Sequence, residues 1–153
     1  MMSTDSVRQH WMSVLAHSDP ERLQTQWQSL GITPNYRLIR PPEVGMIQVQ
    51  ARMGGEGQRF FMGDVTVTRA VVQLSEHSAP SSYGYSYVIG RNKPHAELSA
   101  LIDALLQRPS LHRQLQNALI EPLYDQLLSL RKQRAQAIAA SQVDFFTLVR
   151  GED

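Results

Sequence analysis

The stretch from Val44 to Leu106 leaves this chain few folds to choose from. From Gly45 to Met53, Ile47, Val49, Ala51 and Met53 share one side, and Met46, Gln48, Gln50 and Arg52 share the other. That period of two marks a half-buried antiparallel strand. Gly54-Gly55-Glu56-Gly57 then turns the chain, because glycine enters positive φ freely. Gln58 to Phe61 begins the return, Gly63-Asp64 interrupts it, and Val65 to Leu74 forms the next strand. Val65 and Val67 differ in parity from Ala70, Val72 and Leu74, which predicts a bulge near Thr68-Arg69. After a polar loop from Ser75 to Ser82, the run from Tyr83 to Ile89 aligns Tyr83, Tyr85, Tyr87 and Ile89 on one face. Gly90 to Pro94 leads into a helix from His95 to Leu106, with Leu98, Leu101, Ile102 and Leu105 as its apolar stripe. Asn35 to Arg40 adds a short strand that Pro41-Pro42 should end. The sum is an α+β fold, an antiparallel meander of about four to five strands packed by helices.

The flanking segments are helical. Val7, Trp11, Val14 and Leu15 recur at helical spacing between Asp5 and Ala16. Ser18-Asp19-Pro20-Glu21 has the form of a capping box opening a second helix with Leu23, Trp27 and Leu30 inward, and Gly31 closes it. The pair predicts an N-terminal αα-hairpin. Beyond Pro109-Ser110, Leu111, Leu115, Leu119, Leu123 and Leu127 repeat every fourth residue, forming a long C-terminal helical segment that Pro122 should kink or split. The apolar tail from Gln142 to Val149 carries Phe145 and Phe146 side by side. It reads as a strand that either completes the chain's own sheet or docks on another chain.

At 153 residues with 42% hydrophobic content, residues 1–153 form one globular domain. No apolar run reaches the roughly 20 residues that span a bilayer, and the polar start lacks a secretion signal's core. The default expectation is therefore a cytoplasmic protein with no membrane partner. Cysteine is absent, which excludes disulfides, thiolate catalysis and cysteine-ligated zinc or iron–sulfur sites within this chain. A net charge of +1 supplies no field to gather nucleic acid. Lys93 and Lys132 are the lysines and every other basic residue is arginine, a bias that suits carboxylate or phosphate pairing or reflects composition alone.

Several residues could carry chemistry. The turn around Gly54 and Gly55, flanked by Arg52 and Arg59, has the donors of an anion nest, yet it leads into no helix and Glu56 opposes an anion, so a plain hairpin turn is the rival reading. Arg69 sits where the bulge is expected. His95 opens a helix, where an anion is favoured and an imidazole is held neutral; the rival is a capping or surface histidine. The tyrosine face could stack a base, but is expected to pack the helix that follows it. His10 and His17 lie two helical turns apart, roughly 10 Å, too far to share one metal. No metal-ligating or nucleophile motif is present. The residues by themselves give binding elements and no full catalytic set.

Four segments resemble a known family. They are Arg8-Gln9-His10-Trp11-Met12-Ser13-Val14-Leu15-Ala16; Gln50-Ala51-Arg52-Met53-Gly54-Gly55 with Arg59-Phe60-Phe61-Met62-Gly63-Asp64 and Thr68-Arg69-Ala70; Gly84-Tyr85-Ser86-Tyr87-Val88-Ile89-Gly90-Arg91 with His95-Ala96-Glu97 and Ala100-Leu101-Ile102-Asp103-Ala104-Leu105; and Val143-Asp144-Phe145-Phe146 with Val149-Arg150-Gly151. Together they resemble PhnG, a small subunit of the bacterial carbon–phosphorus lyase system. The resemblance implies a complex with PhnI, PhnH and PhnJ, two copies of the chain within it, and the ATPase-like PhnL as a further partner. It implies that PhnG, PhnH, PhnI and PhnL let an alkylphosphonate displace adenine from MgATP, giving an α-D-ribose 1-alkylphosphonate 5-triphosphate. The complex, not this chain, would use MgATP, and this chain would bind no cofactor of its own. On that reading Arg52, Gly54, Gly55, Arg59, Arg69 and His95 are candidates for the anionic end of a shared site. The rival is a scaffold that orders PhnI without touching substrate.

Overall fold

A computed structural model describes residues 4–52, 59–75 and 82–151, with side chains described for 6–48, 63–75 and 82–141. Its elements are α1 (Thr4–His17), α2 (Pro20–Leu30), β1 (Tyr36–Arg52), β2 (Arg59–Leu74), β3 (Tyr83–Ile89), α3 (Lys93–Leu106), α4 (Pro109–Leu115), a π-helical turn (Gln116–Ile120) and α5 (Glu121–Gly151). The fold is α+β, but its antiparallel sheet has three strands in the order β1-β2-β3. Two expected strand breaks cause the difference from four or five. Pro41 and Pro42 do not end β1. They lie in an irregularity between the pairs Arg40↔Val71 and Glu43↔Arg69, on an edge strand where a missing N–H goes unneeded. Likewise Gly63, at φ 145°, lets β2 run on past the register shift between Val49 and Gln50. The irregularity expected near Thr68-Arg69 lies on β1, opposite the step from Arg69 to Val71, while β2 itself pairs β3 without interruption from Val67 to Gln73. The parity change is a change of buried face. Thr68, Ala70, Val72 and Leu74 point into the core.

α3 is the axis of the core. It is buried on nearly every side, from His95 and Ala96 through the unbroken run Ser99 to Leu106. A helix without a wet face must be covered all round. The sheet covers one side; α1, α2 and α4 pack against the rest. Ala96, Ala100 and Ala104 recur every four residues, the spacing that aligns side chains on one helix face, and the last two approach β3 so closely that a Cβ on Gly84 would meet the Ala100 carbonyl and the Ala104 methyl. The Ser86 hydroxyl donates to the Ala96 carbonyl at 2.6 Å. Hence Gly84, Ser86 and Val88 face inward, and the tyrosines expected to pack the helix face outward. There is no room for aromatic rings beneath an alanine face this close.

The N-terminal helices rest on a common support and do not form a self-packed hairpin. α1 packs on α3, β3 and α5, and α2 on α3 and the π-helical turn. Gly31 closes α2 in the left-handed region, at φ 66°. The capping box does not form, since Asp19 holds the cap position and the Ser18 hydroxyl turns back to the Leu15 carbonyl at 2.8 Å. The C-terminal run is interrupted just before Pro122, where the π-helical turn separates α4 from α5. The helix widens there, with the Glu121 N–H reaching the Gln116 carbonyl. A proline cannot donate and crowds the carbonyl four residues back, and a π-turn relieves both. α5 then continues to Gly151, so the tail from Gln142 to Val149 is helical, not a strand. The alanine-rich run before it favours helix, and neither glycine nor proline interrupts the sequence after Pro122 until Gly151. From Leu128 to Ser141 this helix is exposed on all sides.

Candidate functional site

The outer face of the sheet follows from the inward packing of β3. Tyr83, Tyr85 and Tyr87 stand opposite Gln73, Val71 and Arg69 of β2. Those residues stand opposite Arg37, Arg40 and Glu43 of β1. Directly paired residues share a face, so three arginines, one carboxylate and three phenols lie side by side. Arg69 Nε donates to Glu43 Oε1 at 3.1 Å, and the Arg37 Nε donates to the Gln73 side chain at 2.9 Å. A trough of about 350 Å³ runs over β2 between Ile39 and Arg40 on one side and the tyrosines on the other.

The backbone under this face is pinned from behind. Asp103, fully buried on α3, accepts from Arg8 Nε at 3.3 Å and Nη2 at 3.0 Å, from Trp11 Nε1 at 2.8 Å, and from the Tyr85 N–H at 3.0 Å. One carboxylate thus joins α1, α3 and the free edge of β3, which would otherwise offer open ladder groups. The Gln107 amide donates to the Tyr83 carbonyl at 2.8 Å, closing the same edge. Arg8 also lies over the Tyr85 ring, 5.7 Å from its centroid. Asp103 escaped the reading of site residues. Its signal was an acid inside Ala100-Leu101-Ile102-Asp103-Ala104-Leu105-Leu106, a run with no second polar face to hold it.

Of the residues named from sequence, Arg52 and Arg59 pair across the end of the β1–β2 ribbon. Their side chains, and Gly54 and Gly55 altogether, lie outside the described residues. Arg69 sits further along the same ribbon, on the outer face. His95 is on the other side of the sheet and is not brought near Arg69. It is 5% exposed, so it is not a surface histidine. Its Nε2 donates to the Leu15 carbonyl at 2.9 Å and lies 3.4 Å from the Ser18 hydroxyl. Burial holds its pKa below the usual histidine value, against the opposing pull of the Leu15 carbonyl and Asp19. The helix start beside it is already capped, because the Asn92 side chain accepts from the His95 N–H at 3.1 Å.

A second, open groove of about 610 Å³ lies between α2, the start of β1 and the start of α3. In its wall the Tyr36 hydroxyl donates to Glu97 at 2.9 Å. Burial first, and the neighbouring carboxylate second, raise the phenol's pKa. Among the described residues no cluster of histidine, aspartate or glutamate is arranged to hold a metal ion, and no helix is long and apolar enough to cross a membrane.

The family model described as phosphonate metabolism protein PhnG matches residues 6–151. This chain belongs to the PhnG family of phosphonate metabolism proteins. A curated relative is the alpha-D-ribose 1-methylphosphonate 5-triphosphate synthase subunit PhnG of Rhizobium meliloti (strain 1021). It is 36% identical over 146 residues, covering 95% of this chain and 90% of the relative.

Proposed function

We propose that this chain is a subunit of an α-D-ribose 1-methylphosphonate 5-triphosphate synthase. With PhnI, PhnH and PhnL it supports displacement of adenine from MgATP by an alkylphosphonate. The product is an α-D-ribose 1-alkylphosphonate 5-triphosphate, and PhnJ is a further member of the core complex, in which this chain is present twice. The observation that carries this reading is the 36% identity to a synthase subunit across 95% of the chain. The chemistry is compatible with it. A partner that turns water away from an oxocarbenium-like centre has to close a site and place an anion, and needs no nucleophile of its own. Arg52, Arg59 and Arg69, carried on one ribbon, are proposed to meet the anionic end of the shared site, together with Gly54 and Gly55, which lie between Arg52 and Arg59 in the sequence; the helix start at His95 is a separate candidate, across the sheet from Arg69.

The test is growth on methylphosphonate as sole phosphorus source by a strain whose own PhnG is deleted. The chain should restore growth, and no growth despite soluble expression would overturn the reading. Charge reversal at Arg52, Arg59 and Arg69 then tests the site role. Full phosphonate transfer in every variant would remove it.

A second reading, a scaffold that orders PhnI without touching substrate, is favoured by α5, whose stretch from Leu128 to Ser141 is exposed on all sides and so offers a long helical surface. Truncation at Ser141 separates the two. Lost assembly with silent arginines favours the scaffold, and intact assembly with lost transfer favours the site.

A further inference from the structure

The outer face of the sheet carries more aromatic and cationic surface than the chain's own contacts cover. Tyr83, Tyr85, Tyr87 and Ile89 are 42%, 43%, 54% and 59% exposed. At every second residue along a strand they span roughly 20 Å, far longer than a nucleobase. Tyrosine and arginine beside branched aliphatics are the residues enriched at binding hot spots, and a row of this size is uncommon on a free monomer.

We propose that this face docks a different polypeptide whose contacting patch carries carboxylates around an apolar centre. The inference rests on the subunit reading above and goes beyond it by naming the surface and the chemistry of its partner. Charge decides the carboxylates. Arg37, Arg40 and Arg69 share the face with Glu43, which already pairs with Arg69, so the row keeps an excess of positive charge. Charge also decides against a second copy of this chain. A two-fold contact sets a patch against itself, and here it would bring arginine to arginine. The trough supplies shape, with the β2 side chains as its floor and Ile39 and the tyrosines as its walls. Preorganisation supplies the remainder. Asp103 and Gln107 tie the backbone at Tyr85 and Tyr83, and Gly84 is pressed on α3, so the phenols are held outward before any partner arrives. A surface ordered in advance loses little entropy on binding.

The experiment uses the full chain co-expressed with the other subunits of its complex, with Tyr87 replaced by the photoreactive residue p-benzoylphenylalanine. Irradiation should link it to a different polypeptide, at a segment containing aspartate or glutamate. Arg40→Glu with Tyr87→Ala should weaken association at least tenfold, more steeply at low salt, while the melting temperature of the isolated chain stays within about 2 °C, as expected for exposed positions. Cross-links confined to another copy of this chain would overturn the proposal, as would protection of Tyr87 by ATP alone, or undiminished assembly of the double variant. If the unmodified chain joins no complex, the subunit reading fails and this partner with it. Assembly of the unmodified chain with a silent double variant overturns the surface alone.

Discussion

Asp103→Asn probes the node on which the sheet edge, α1 and α3 converge. The carboxylate accepts four hydrogen bonds, two on each oxygen, from Arg8, Trp11 and the Tyr85 N–H. An asparagine keeps one oxygen and turns an NH2 toward the other donors. With that oxygen on the Trp11 side, the amide faces Arg8 Nη2 and the Tyr85 N–H. A hydrogen bond to a charged group contributes about 1.5–3 kcal/mol, and a buried donor left unpaired costs about 1–3 kcal/mol. Arg8 is 33% exposed and can turn partly to water, which lowers the first figure. The expected loss is about 3 kcal/mol, or roughly 6–12 °C in melting temperature for a chain of this size. Urea denaturation of the purified chain measures it, and an unchanged slope confirms that the two states are the same. A cycle with Arg8→Met should show coupling of at least about 1 kcal/mol between the two positions. A loss below about 1 kcal/mol for Asp103→Asn, with no coupling to Arg8, would refute the node as a tie between the three elements.

Gly84→Ala should destabilise the chain by about 2 kcal/mol or more, since the new methyl meets a backbone carbonyl that cannot yield; thermal melting checks it, and Ser86→Ala should be milder. Tyr36→Phe should cost about 1 kcal/mol through loss of the Glu97 hydrogen bond, seen by the same denaturation assay. For His95, a folded pKa below the unfolded value means that the unfolded chain binds more protons as pH falls past about 6.5. Stability should therefore fall from about pH 6.5 down to the depressed folded pKa and become independent of this group below it. In His95→Gln, which keeps a donor toward Leu15, that part of the slope should vanish; an unchanged pH profile would contradict the assignment.

What the sequence made legible was local. Periodicity located α1, α2, α3 and β3, and glycine at position 31 marked a helix end that the chain does adopt. What it obscured were facts set by distant contacts. Alternation along Tyr83 to Ile89 showed that two faces differ, but only the close alanine face of α3 determines that glycine and serine go inward. Pro41-Pro42 resembles a strand end until β2 supplies a ladder partner on both sides of it. Phe145 and Phe146 suggested a strand, whereas the helix reaching them from Glu121 meets nothing to stop it. Asp103 lay within view, yet its meaning depended on donors from residues 8, 11 and 85.

The most direct measurement is adenine release from MgATP and methylphosphonate by PhnI, PhnH and PhnL, with this chain added or withheld. The account predicts that ribose 1-methylphosphonate 5-triphosphate forms only when the chain is present. The same yield of that product without the chain would contradict it.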